Sequence, residues 1–271
     1  MTGAARGIGL ETARLLHRRG ASVVLVDLDA AETASAAADA GERALAVPAD
    51  VTDRDAMAGA VATAVERFGR LDVVVANAAI APPTATMRVV DPQTFERVVE
   101  VDLLGVWRTV RPALPEIVAR EGHVTVVSSI SAWANGAALA AYGVSKAGVE
   151  QLGRALRTEL APAGASAGVV YFGFVDTEML RAGYADPVAH AFEELIPRWM
   201  RRRVRPDQAA AAIVRGIERR APSVVLPPWW RVWSALRGVV NPAFDRLAER
   251  DPRLRSLLRE ADRDERAALR E

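Results

Sequence analysis

A chain of 271 residues with 51% apolar side chains, 35 basic groups against 34 acidic ones and a net charge of +1 reads as one soluble globular domain. At this length about three quarters of the extended-chain surface is buried on folding, enough for a core without staples. The balanced charge excludes the electrostatic footprint of a nucleic-acid binder. The absence of cysteine excludes a disulfide scaffold, a thiolate nucleophile and a Cys-ligated metal, and suits a reducing, cytoplasmic setting. His17, His123 and His190 are too scattered in sequence to suggest a metal motif, so no metal is expected. No run of about 18 apolar residues occurs. The first residues, with Gly3, Arg6 and Glu11, do not have the charged cap and apolar block of an export signal.

Along the chain, short β-branched runs alternate with longer helical stretches, the pattern of strands feeding crossover helices in a parallel sheet. Strands are predicted at 22–26, 44–49, 71–76, 123–128, 167–172 and 223–226. Between the second and third, Thr52 with Asp55 forms a capping box ahead of Met57, Ala60, Val61, Ala64, Val65 and Phe68 at helical spacing. After Tyr142, the stripe Val149, Leu152, Leu156 and Leu160 predicts a second amphipathic helix that stops at Pro162 and Gly164. Past Leu226 the character changes. Residues 227–271 read as an extension that opens with Pro227, Pro228, Trp229, Trp230 and Trp233. Over 245–271 eight arginines meet eight acids, which predicts one solvated, salt-bridged helix.

Two local patterns carry chemistry. Thr2-Gly3-Ala4-Ala5-Arg6-Gly7-Ile8-Gly9 runs into a helix, where glycines let the backbone approach a pyrophosphate and the helix start offers free N–H groups. About twenty residues on, a predicted strand leads to Asp27, whose carboxylate can accept hydrogen bonds from ribose hydroxyls and would repel a 2′-phosphate. This favours NAD over NADP. The second pattern is Tyr142-Gly-Val-Ser-Lys146, a phenol and an ammonium four residues apart on one helix face. A nearby cation stabilises a phenolate, so the pair can move a proton to or from an alcohol oxygen. Lys146 is the only lysine in a chain that otherwise uses arginine.

With these motifs in order, the chain resembles the short-chain dehydrogenase/reductase family from Thr2 to about Leu226. The resemblance implies a single Rossmann-type domain, an α/β doubly wound parallel sheet over residues 1–226, with a substrate loop at about 178–205. It implies Ser129 as the catalytic serine, thirteen residues before Tyr142, and a cofactor site comprising Gly3, Arg6, Gly7, Ile8, Gly9, Asp27, Asp50, Val51, Asn77, Tyr142, Lys146, Val175 and Thr177. Hydride would pass between a carbinol carbon and the nicotinamide, with Tyr142 moving the proton, Lys146 supporting it and Ser129 binding the substrate oxygen. Homodimers or homotetramers are implied as well.

The chain also departs from the family. The family places a hydrophobic strand before the glycine loop, whereas this sequence begins at Met1-Thr2, so the central strand of the sheet is expected to be missing and a mis-set start or a trimmed chain is the preferred explanation. Asp102 stands where the family usually has asparagine in the proton relay, and when ionised it cannot donate as an amide does. Ala79 replaces a glycine and Phe172 a proline. Met179, Leu180, Tyr184, Phe192, Trp199 and Met200 would suit a small lipophilic alcohol or ketone, steroid-like or retinoid-like. Arg198, Arg201, Arg202, Arg203 and Arg205, with Trp229, Trp230, Trp233 and Leu236, could form a peripheral membrane contact, though a tryptophan cluster is at least as often a subunit interface or a pocket wall. The rival reading is a catalytically weak descendant that binds a nucleotide or a partner protein.

Overall fold

In a computed structural model, described for the backbone of residues 1–268 and the side chains of 1–263, strands and helices alternate as the periodicity predicts. The strands are β1 (Val23–Asp27), β2 (Ala44–Pro48), β3 (Val73–Ala76), β4 (His123–Ser129), β5 (Ser166–Phe172) and β6 (Ser223–Leu226). The helices up to β4 are α1 (Gly7–Arg18), α2 (Ala30–Ala40), α3 (Arg54–Phe68), α4 (Pro92–Val99), α5 (Gly105–Val110) and α6 (Leu114–Ala119), with a π-helical turn Glu100–Leu104 between α4 and α5. Then come α7 (Ala140–Leu160), α8 (Glu178–Gly183), α9 (Pro187–Leu195), α10 (Pro206–Glu218), α11 (Trp230–Arg250) and α12 (Pro252–Ala268).

All strand pairs are parallel, and they form two ribbons, β1-β2 and β3-β4-β5-β6. Met1 and Thr2 lie between the ribbons. The Val26 amide donates to the Met1 carbonyl at 2.9 Å, while the Thr2 amide donates to the Val75 carbonyl at 3.1 Å. The expected gap at the central strand is thus present among the described residues, with one bridge, Thr2 to Val26, where a full ladder would run. β4 is buried at all seven positions, as a strand covered on both faces must be. One face is covered by α1 and α10, the other by α5 and α7.

Two local expectations are corrected. Asp53, not Thr52, caps α3: its carboxylate accepts from the amides of Asp55 and Ala56, while the Thr52 amide turns back to Asp50 Oδ1 at 2.8 Å. The charged C-terminal stretch forms two helices rather than one, because Asp251 is extended and Pro252 opens a new helix; residues 269–271 lie outside the described part. The tryptophans of the extension turn inward. Trp230 is buried in the core cluster with Trp133 and Tyr171, and Trp229 and Trp233 pack against it.

Candidate active site

The glycine loop is shaped by contacts only a hydrogen side chain tolerates. Gly3 has φ of +64°, and a Cβ there would lie 2.8 Å from Asn77 Nδ2 and 2.9 Å from the Ala78 backbone. A Cβ on Gly9 would fall 1.8 Å from the Gly3 carbonyl. The loop therefore folds back on the first turn of α1, whose N-cap Arg6 makes no side-chain cap bond, leaving the amides of Gly7, Ile8 and Gly9 unclaimed by a capping side chain. Asn77 follows β3 and ties down this loop, its Nδ2 donating to the carbonyls of Thr2 and Gly3 at 3.1 Å each. A Cβ on Gly7 would lie 3.5 Å from Thr177 Cγ2, so the loops after β5 and before α1 meet over the strand ends. That crevice is where open α/β sheets bind dinucleotides.

Around it, Asp27 closes β1. Its Oδ2 accepts from the Ala5 amide at 3.0 Å and its Oδ1 from the Asp29 amide at 3.2 Å, so the carboxylate also holds the glycine loop. Arg6 is engaged by Asp29 at 2.9 Å and Glu32 at 3.0 Å. Asp50 and Val51 follow β2. Burial resists ionisation of Asp50, but hydrogen bonds from Thr52 and the nearby Arg97 hold its carboxyl below the usual range. Val51 packs against Gly105. Val175 is buried and bridges to Val204, while Thr177 caps α8 through Oγ1, which accepts from the Leu180 amide at 3.2 Å.

The serine, tyrosine and lysine singled out in the sequence lie on elements that meet at the end of β4. Ser128 Oγ donates to the Lys146 carbonyl at 2.7 Å, fixing α7 against the strand. Ser129, the last residue of β4, accepts from the Ser131 amide at 3.1 Å; its own proton finds only long partners, Ser131 Oγ at 3.3 Å and the Phe172 carbonyl at 3.4 Å. The first turn of α7 leans on this corner, since a Cβ on Gly143 would sit 3.5 Å from the Ser131 carbonyl. Tyr142 and Lys146 follow at adjacent turns, with Nζ 5.3 Å from the ring centroid.

Asp102 lies within the π-helical turn, a rare geometry that recurs at functional sites. Its Oδ1 accepts from the Ile80 amide at 2.8 Å and its Oδ2 lies 3.2 Å from Lys146 Nζ, with the two side chains 0% and 2% exposed. Burial raises the Asp102 pKa, outweighing the attraction of Lys146. For Lys146, burial favours the neutral amine, but attraction to Asp102 and Tyr142 overcomes it and leaves the pKa above the ordinary lysine value. The Asn-to-Asp departure thus creates a direct buried ion pair, not merely a lost donor.

Sequence reasoning did not anticipate what holds the chain just after Ser129. Trp133, four residues after Ser129, is buried on Tyr171 with ring centroids 4.4 Å apart and donates to Glu150 Oε2 at 2.9 Å. Arg237 of α11 bonds both oxygens of Glu150, and Asn241 reaches the Trp133 carbonyl at 2.6 Å. The extension is therefore bolted to the serine corner; the Trp-rich composition was the only signal of it. In the loop 178–205, Leu180, Tyr184 and Met200 pack toward the core, while Met179 and Trp199 are exposed. Burial, with Glu193 nearby, pushes the Tyr184 hydroxyl up to about 12.

The fold, with its crevice at the strand ends, and the relatives that follow define a nicotinamide-dependent oxidoreductase acting on CH–OH groups. The family described as Enoyl-(Acyl carrier protein) reductase matches residues 3–219. The chain is 41% identical over 216 residues to cis-4-hydroxycyclohexanecarboxylate dehydrogenase of Sinomonas cyclohexanicum, covering 79% of this chain and 86% of that protein. It is 35% identical over 179 residues to (-)-trans-carveol dehydrogenase of Rhodococcus erythropolis, covering 60% and 65%. Among solved structures, the 3-ketoacyl-(acyl-carrier-protein) reductase of Brucella melitensis complexed with NADH superimposes with a TM-score of 0.73 at 30% identity, covering 83% of this chain and 94% of that one. The chain belongs to the short-chain dehydrogenase/reductase family.

Proposed function

We propose that this alcohol dehydrogenase/reductase uses NAD(H) on a lipophilic secondary alcohol or ketone, with Tyr142 as the acid/base. What supports the reading is that α7, which carries Tyr142 and Lys146 at adjacent turns, is fixed by Ser128 against the end of β4, where Ser129 lies. The start of α1 suits a pyrophosphate, because no capping side chain claims the amides of Gly7, Ile8 and Gly9, and Gly3 and Gly9 let the loop fold tightly onto that turn. Once bound, a nicotinamide dinucleotide supplies the hydride donor or acceptor.

The protein groups do the rest. Tyr142 takes the hydroxyl proton during oxidation and returns it during reduction. Ser129 turns its weakly held O–H toward the substrate oxygen and stabilises charge developing there. Lys146 holds positive charge beside the phenol, and Asp102 positions it. Asp27 puts negative charge where the ribose would lie, and Asp29 and Glu32 occupy the guanidinium of Arg6, which favours NAD over NADP. The apolar packing of Leu180, Tyr184 and Met200, and relatives that act on hydroxycyclohexane and carveol skeletons by name, support cyclic secondary alcohols as first substrates.

The test is NAD⁺ and NADP⁺ reduction across a panel of cyclic secondary alcohols. Turnover with NAD⁺ in preference to NADP⁺ is expected. Cofactor binding without turnover of any alcohol or ketone would instead favour a catalytically weak nucleotide-binding protein.

A further inference from the structure

Helix α11 has two apolar faces, and only one is used. Trp230, Trp233, Arg237 and Asn241 point inward, holding the helix on the core and on Trp133. On the opposite side Val232, Leu236, Val239 and Leu247 are 63%, 51%, 77% and 69% exposed. Their spacing of four, three and eight residues sets them in one stripe along the helix. Residues 230–244 contain two charged side chains, Arg231 and Arg237, and no acid. Arg237 is spent on Glu150, while Arg231 makes no ion pair among the described residues. Beside the start of α11 lies the tip of the substrate loop, where Trp199 is 63% exposed and its ring is 6.5 Å from Trp229. Arg198, Arg201 and Arg202 flank that tryptophan without ion-pair partners among the described residues. Arg198 and Arg201 also border an open cleft of about 710 Å³ with Arg253 of α12, three guanidiniums against the one carboxylate of Glu194.

We propose that the outer face of α11 and the adjoining Trp199 loop form a docking surface for an anionic lipid bilayer. An apolar stripe beside guanidiniums and an exposed tryptophan has the composition of an interfacial helix. Charge decides between this occupant and a second copy. A two-fold interface sets the same patch against itself, so unpaired arginines would meet unpaired arginines, whereas acidic headgroups complement them. Among the described residues no helix is long and apolar enough to cross a membrane, so the contact is peripheral. The tryptophans that make the sequence look membrane-seeking are not the ones that face outward; apart from Trp199, the outward groups are aliphatic.

The experiment is flotation of the full chain with vesicles of phosphatidylcholine alone or with about one third phosphatidylglycerol. At least about tenfold more protein should float with the anionic vesicles, and about 1 M salt should reduce that excess. The triple variant V232S/L236Q/V239S should lose vesicle binding while keeping its melting temperature and its turnover of a water-soluble alcohol. Three results would overturn the proposal: no flotation of the wild-type chain, undiminished flotation of the triple variant, or a fall in solution mass in that variant, which would assign the stripe to a second copy. Vesicle binding and turnover are read separately, so failure here leaves the catalytic reading untouched, and the reverse.

Discussion

Replacing Asp102 with asparagine restores the residue usual in the family, yet in this chain it should destabilise. The wild-type carboxylate uses Oδ1 to accept from the Ile80 amide and presents Oδ2 to Lys146 Nζ at 3.2 Å. With Oδ1 retained for Ile80, the amide of Asn turns its NH2 toward the ammonium, placing two donors face to face. Removing one partner of a buried pair costs about 3 to 5 kcal/mol. Escape by deprotonation is no cheaper, since neutralising a lysine of ordinary pKa at pH 7 costs about 5 kcal/mol. For 271 residues that corresponds to a fall in Tm of about 5 to 9 °C. Because the Lys146 pKa is raised in the folded state, its contribution is present in full below the unfolded value of 10.5 and is lost as pH rises through the folded value. The deficit of the variant should therefore be full at pH 7 and narrow in strong alkali. The assay is thermal unfolding by circular dichroism, with Lys146→Met and the double variant completing a cycle in which the two losses are far from additive. An unchanged Tm in Asp102→Asn at pH 7, or strict additivity in the cycle, would refute the claim that the pair couples across the site.

Asp27→Ala removes the charge proposed to face the ribose, so the ratio of NAD⁺ to NADP⁺ efficiency should fall by at least about tenfold, as expected for losing roughly one pK unit of like-charge discrimination; an unchanged ratio would deny Asp27 that role. The same change removes acceptors for the amides of Ala5 and Asp29, and should lower Tm by a few degrees through the loss of about 1 kcal/mol per bond. His123, buried on β4 and bonded to Ser166, has its pKa lowered to about 4 by burial and by Arg157 and Arg220. The unfolded chain binds this proton from about pH 6.5 downward while the folded chain does not, so stability should fall by about 3 kcal/mol between pH 6.5 and 4. Urea midpoints across that range should show the slope, and His123→Gln should flatten it; an equal slope in the variant would place the effect elsewhere.

Much of the strand pattern was legible because a parallel sheet buried on both faces writes continuous β-branched runs, as at β4. Tyr142 and Lys146 were legible from helical spacing alone, and Ser129 only through the family offset. What was not legible depends on geometry that spacing does not encode. The Asp102–Lys146 pair requires the π-helical turn, which changes the phase of the side chains within an otherwise ordinary helical run. Trp230 and Val232 are both apolar in sequence, yet one is 4% exposed and the other 63%, and only the docking of Arg237 and Asn241 decides which side of α11 turns inward. The choice of Asp53 over Thr52 as a cap was likewise set by a local competitor, the Asp50 carboxylate.

The central claim is that Tyr142 transfers the proton during hydride exchange at a nicotinamide site built by the rest of the chain. Its most direct test is steady-state turnover of Tyr142→Phe with a competent cyclic alcohol, alongside NAD⁺ affinity by calorimetry. The account predicts a loss of about 10²- to 10⁴-fold in kcat, with NAD⁺ bound nearly as tightly as by the wild-type chain. Turnover equal to wild type, with NAD⁺ still bound, would contradict it.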